Sequence, residues 1–302
     1  MEAGPGYCML EERGVLAVEG ADRVAFLQGL VSNDVAKAGP DRAIYAALLT
    51  PQGKYLHDFF IAAAGDSLLL DAEAARLDDL RRRLALYKLR AKATLADASD
   101  RFGVFAAFGA GVVEALGLAD GAGAARPWGE GAAFVDPRLA ALGVRLIVPR
   151  AAGEAALAAA GLRRTDPADY DRLRLGLGVP DGSRDLGIEK AILLESGFDE
   201  LNGIDWQKGC YIGQELTART KYRALIKKRL MPVAIEGPLP PPDTPVMLGA
   251  AEAGEMRSGR DGLGLALLRL EAVAAAARAG QPLTAGAATL RARRPTWMKL
   301  ES

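Results

Sequence analysis

The chain has 302 residues, and its 38 lysines and arginines are matched by 38 aspartates and glutamates, giving a formal net charge of zero. A neutral chain lacks the global field that collects nucleic acid or anionic membrane, so direct binding to either is not expected. Two cysteines and one histidine cannot build a disulfide framework, nor a closed four-ligand metal site of thiolates and imidazoles.

Val15 to Val18 reads as a short strand, and Gly20-Ala21-Asp22 leads into a helix carrying Val24, Phe26, Leu27, Leu30 and Val31. Ala43 to Leu49 and Tyr55 to Ala62 read as strands joined by the turn Thr50-Pro51-Gln52-Gly53-Lys54. Leu68 to Leu70 is a further strand. From Ala72 the period changes: Leu77, Leu80, Leu84 and Tyr87 recur at helical spacing among Arg81, Arg82, Arg83 and Lys88, predicting an amphipathic helix with a solvated basic face. Lys92 to Ala96 and Val104 to Phe108 return to strand character.

Residues 110 to 165 are expected to hold a small helix at Gly111 to Leu118, strands at Ala132 to Asp136 and Val144 to Val148, and an alanine-rich helix near Glu154 to Ala160. Asp166-Pro167 is a helix start, with Asp as N-cap and Pro at the first helical position. Tyr170, Leu173 and Leu177 are the expected buried face of that helix. Five prolines between Glu236 and Pro245 predict a linker or a stiff loop at a domain edge. Beyond it, short strands at Val246 to Leu248, Leu263 to Leu268 and Thr289 to Ala292 predict a small β-barrel. The order of hairpin, helix and further strands predicts an α+β unit with an antiparallel sheet, and domain divisions are expected at residues 1–110, 111–235 and 236–302.

The most informative segment is Lys208-Gly209-Cys210-Tyr211-Ile212-Gly213-Gln214-Glu215. An ammonium beside a thiol favours the thiolate, the form that attacks electrophiles or binds metal. Gly209 and Gly213 allow a sharp turn or the close approach of a ligand. Cys210 and Lys208 are therefore the candidate reactive residues. Residues 1–20 do not read as a signal peptide, and a reduced cytoplasmic setting is expected.

This signature resembles that of the folate-binding YgfZ proteins, a group that includes mitochondrial iron–sulfur assembly factors. The stretches Phe26 to Asp34, Leu49 to Lys54, Tyr170 to Arg174 and Gly178-Val179-Pro180 agree with it. The resemblance implies an aminomethyltransferase-like fold with antiparallel sheets, a ferredoxin-like unit and a C-terminal barrel. It also implies a tetrahydrofolate site and a role with [4Fe-4S] proteins, including radical enzymes of tRNA modification. Its implied partners are A-type iron–sulfur carriers and [4Fe-4S] client enzymes. By motif position Glu195 resembles the pterin-binding glutamate, with Tyr211 and Gln214 beside it and Arg219 or Arg223 toward the folate tail. No metal is expected to be held by the chain alone. Aminomethyltransferases carry two adjacent aspartates where this chain has His57-Asp58, which counts against methylene transfer. A folate-dependent one-carbon transferase using Asp58 as base remains the alternative function, and a folate-binding scaffold with a structural Cys210 the third.

Overall fold

The computed structural model describes residues 4–222 and 226–299. The chain divides into two compact units, one drawn from Met1–Pro51, Leu56–Tyr170 and Leu201–Gln214, the other from Gln52–Tyr55, Asp171–Glu200 and Glu215–Ser302. No described helix is long and apolar enough to cross a membrane.

The first unit holds two sheets. A five-stranded sheet runs Ile44–Leu49, Tyr55–Ala64, Ser67–Glu73, Arg13–Glu19, Thr94–Asp97. A six-stranded sheet runs Arg163–Arg164, Gly6–Met9, Phe102–Phe108, Val144–Pro149, Gly131–Val135, Ala125–Trp128. Its pairings are antiparallel apart from the short contact of Gly6–Met9 with Arg163–Arg164. Period-two alternation divides each strand between two faces. In the first sheet Leu16, Val18, Ile44, Ala46, Leu48 and Ile61 pack with Phe26 and Leu27 of helix Arg23–Gln28 and Leu77, Leu80 and Leu84 of helix Leu77–Leu86. In the second, Phe105, Leu146 and Val148 pack with Leu157 of helix Arg150–Ala159. The opposite faces meet through Phe60 and Phe134, whose rings lie 6.1 Å apart, and through a buried cluster of arginines and aspartates.

The second unit contains a closed barrel ordered Lys228–Glu236, Leu263–Arg269, Ala251–Arg260, Pro245–Leu248, Leu283–Ala285, Ala288–Ala292. Helix Leu270–Ala279 packs on its core. The barrel begins at Lys228, ahead of the boundary expected at residue 236. The proline-rich segment connects strands Lys228–Glu236 and Pro245–Leu248 of the barrel, so of the two expectations the stiff loop is the one that holds. Gly259 to Gly264, which reads as a loop, is a hairpin. Asp261 and Gly262 have φ of +49° and +77°, which suits the two-residue turns that follow strand twist.

Two helices also differ from expectation. The first ends at Gln28, so Leu30 and Val31 lie beyond it. Helix Pro167–Leu177 is capped by Asp166, whose Oδ1 accepts from Ala168 N–H at 2.8 Å. Leu173 and Leu177 are only half-buried, while Arg174 is buried in the second unit and donates to Asp171 (2.8 Å), Asp185 (2.7 Å) and Ser258 of the barrel (2.9 Å). Arg174 takes a buried place because two carboxylates meet it, Asp171 one turn earlier on the same helix and Asp185 further along the chain, together with the distant Ser258 hydroxyl.

Candidate functional site

The signature loop is tied down on both sides of its cysteine. Asp205 Oδ1 accepts from the backbone N–H groups of Gln207 (2.8 Å) and Lys208 (3.1 Å), and its other oxygen pairs with Lys37. The Lys208 ammonium donates to the carbonyls of Gln28 (2.8 Å), Val31 and Asn33 (2.9 Å), at and beyond the end of helix Arg23–Gln28. Helix C-termini expose carbonyls and carry negative partial charge, so a buried cation is well placed there. Burial pulls the Lys208 pKa down to about 8, with Asp34 and Asp205 acting to raise it. The nitrogen also lies 5.1 Å from the centroid of the buried Tyr211 ring. Ile212 packs against the core of the first unit, and Gly213 takes φ of +79°, a conformation that favours glycine.

Between these anchors Cys210 is exposed. Lys208 was expected to activate the thiol, but the structure turns its ammonium inward onto carbonyls, so its visible role is to hold the loop. At Gly209 a Cβ would meet nothing within 4 Å, so open space lies beside Cys210. Cys8 differs in every respect. It is buried in strand Gly6–Met9, and desolvation pushes its thiol pKa up to about 12. Among the described residues no three His, Cys, Asp or Glu side chains are grouped to hold a metal ion.

His57 and Asp58 cannot act as an adjacent pair, because neighbours on a strand point to opposite faces. His57 is buried against helix Leu77–Leu86, with Nε2 2.9 Å from Asp79 Oδ2. Burial lowers its pKa to about 4, with Asp79 acting to raise it. Asp58 faces the other sheet and accepts a hydrogen bond of 2.8 Å from the Tyr45 hydroxyl.

Glu195 sits in the second unit on the 3₁₀ turn Leu193–Ser196 and lines a cleft of ≈ 740 Å³. Lys54, Lys190 and Lys228 line the same cleft. Burial raises the Glu195 pKa, while Lys228 and Lys54 pull it back. Arg184, Arg257, Asp185, Asp243 and Glu255 also border the cleft, each engaged in an ion pair. Beside these ion pairs the lining carries Glu195 and the ammonium groups of Lys54, Lys190 and Lys228. Of the expected tail ligands, Arg219 is not among the lining residues and pairs with Glu215 one helical turn away, and Arg223 falls outside the described residues. Gln214 opens helix Gln214–Tyr222. Sequence reasoning missed all three lysines as lining residues; only Lys54, beside the Gly53 turn, carried any local signal.

Residues 227–300 match the family model described as the CAF17 C-terminal beta-barrel domain. The chain is 35% identical over 286 residues to the mitochondrial iron–sulfur cluster assembly factor IBA57 of Mus musculus, covering 87% of this chain and 77% of that protein. It is 35% identical over 284 residues to the Homo sapiens protein, with the same coverage of each. Among solved structures, the glycine cleavage system aminomethyltransferase T of Bartonella henselae superposes with a TM-score of 0.76 at 15% identity. That match covers 98% of this chain and 86% of the other, and it shows a shared fold. The expected cytoplasmic location is overturned, since the relatives are named as mitochondrial proteins and point there instead. Thiol usage could not separate the two, because it reports a reducing setting and not an address. The chain belongs to the family of the iron–sulfur cluster assembly factor IBA57.

Proposed function

We propose that this chain assists the assembly of [4Fe-4S] clusters in client proteins, with a reduced folate held around Glu195 and Cys210 presented to the cluster or its protein carrier. The observation that carries the reading is the build of the signature loop. Lys208, Tyr211 and Ile212 are fixed by carbonyls and core, yet the thiol between them is open to solvent. Once it has released its proton to solvent, the thiolate supplies one of the about four ligands a cluster ordinarily has. The others must come from a carrier protein, a small thiol or the client. An A-type carrier and [4Fe-4S] enzymes are partners of the required kind.

The cleft suits a folate in its donor set and its size. A half-buried carboxylate can accept from adjacent N–H groups of a pterin, and lysines suit the carboxylates of a glutamate tail. Its volume of ≈ 740 Å³ is in the range of small-molecule sites. When bound, a reduced folate is a carrier of one-carbon units. Nothing beyond Asp58 itself favours the transferase alternative, and Asp58 already receives the Tyr45 hydroxyl.

The test is complementation of a strain lacking this chain. Cys210→Ala is expected to abolish rescue of [4Fe-4S] enzyme activity, whereas Cys8→Ala should rescue as the parent does. Full rescue by Cys210→Ala would refute the thiol's role. In anaerobic reconstitution, cluster absorbance is expected only when a carrier or glutathione is added.

A further inference from the structure

We infer that the basic, apolar tip after helix Leu77–Leu86 is the docking surface for an acidic protein partner, the source or recipient of the cluster. The inference rests on the cluster-assembly reading above. Leu86 and Leu89 are 76% and 90% exposed, and Tyr87 between them is 44% exposed. Apolar side chains this open, grouped at one tip, mark an interaction site more than a random surface does. Leu89 also holds φ of +44°, at a position past a helix end where glycine is the usual occupant.

The charges around the tip set the partner's chemistry. Arg81, Arg82 and Arg83 are answered by Asp78 and Asp79 on the same helix. Lys88, Arg90 and Lys92 have no ion-pair partner among the described residues. Three uncompensated cations around three apolar groups complement a surface that is acidic with an apolar centre.

The tip's position favours a protein that also meets Cys210. Lys92 pairs its backbone with Asp22, N–H to Oδ2 at 2.8 Å, at the start of helix Arg23–Gln28. Lys208, two residues before Cys210, caps the other end of that helix. Six residues span about 9 Å. Ala25 on the helix, and Ala21 and Gly29 flanking it, are exposed and small. A protein covering about 800 Å² per side, the ordinary footprint, spans that distance and reaches the thiol.

The experiment uses full-length chains in the strain that lacks this protein. Leu86→Ser/Leu89→Ser and Lys88→Glu/Arg90→Glu are each expected to lower [4Fe-4S] enzyme activity about tenfold, as loss of an interface hot spot would. Their thermal midpoints should be unchanged, since the altered side chains are exposed. Leu89→p-benzoylphenylalanine should photo-crosslink to an acidic iron–sulfur protein, and Lys88→Glu/Arg90→Glu should abolish the adduct. Full activity in both variants, with activity lost in Cys210→Ala, overturns the docking surface and leaves the cluster reading standing. Full activity in Cys210→Ala as well overturns that reading. No protein adduct, with variant-sensitive binding to phosphatidylglycerol vesicles, assigns the tip to lipid and overturns the inference.

Discussion

The seam between the two sheets of the first unit and the cleft around Glu195 in the second are both rich in charge, and they use it in opposite ways. In the seam, Asp71 accepts from Arg13 Nε at 2.6 Å and also pairs with Arg145, while Asp136 accepts from Arg138 Nη2 at 2.8 Å and lies 3.4 Å from Arg145 Nε. None of these five side chains is more than 4% exposed. The Phe60 ring offers its π face to Arg145 at 4.1 Å and Arg138 at 4.8 Å, helping to offset the cations. In the cleft, by contrast, three lysines and a carboxylate face a cavity with room for a ligand. Charges that close on one another hold layers together. Among the charges that border the open volume, Glu195, Lys190 and Lys228 can meet a ligand.

The closed side should break hardest. Asp71→Ala leaves two buried guanidinium groups without their carboxylate, and removal of one partner from a buried ion network costs about 3–5 kcal/mol. Urea unfolding should show a loss of that size, and a loss below 1 kcal/mol would mean that water replaces the carboxylate.

His57 belongs to the same closed class, on the opposite face of its sheet. Its folded-state pKa is lowered from 6.5 to about 4. Between those values the unfolded chain takes up a proton that the folded chain refuses, so stability falls as pH drops from 6.5 toward 4 and is fully present above 6.5. A shift of that size corresponds to about 3 kcal/mol across the window. His57→Gln should flatten the dependence, as read from urea midpoints at several pH values. Parallel curves for parent and variant would remove His57 as its source.

The contrast also explains what could be read from the chain. The turn Thr50 to Lys54 between two largely apolar runs and the helical period of Leu77, Leu80 and Leu84 are local signals, and the elements form where they predict. Asp166-Pro167 caps its helix as the chemistry of those two residues requires. What was hidden depends on partners distant in sequence. Arg145 meets Asp71 across 74 positions, and Lys208 finds the carbonyl of Gln28 across 180. A lysine beside a cysteine in sequence suggested activation, and only the carbonyls behind it reveal an anchor. Likewise Lys190 and Lys228 carry no local mark of a binding site, since a shared cavity is a property of the fold and not of a motif.

The open side should give the smallest energies and the most specific readout. If Glu195 accepts hydrogen bonds from a reduced folate, Glu195→Ala removes a charged acceptor worth about 1.5–3 kcal/mol, a loss of roughly tenfold to a hundredfold in affinity. Titration calorimetry with tetrahydrofolate measures it directly. The carboxylate borders a cavity rather than filling a core, so the variant should keep the thermal midpoint of the parent. Glu195→Gln separates charge from shape: it keeps one acceptor oxygen but adds an amide donor, and should bind between the parent and Glu195→Ala. Substituting Lys228→Met removes one of the two cations that pull the Glu195 pKa down, so the carboxyl's pKa should rise further and folate binding should weaken first at the acidic end of the pH range. Unaltered affinity in Glu195→Ala would take this carboxylate out of any folate site and leave the cleft's lysines to a different anion.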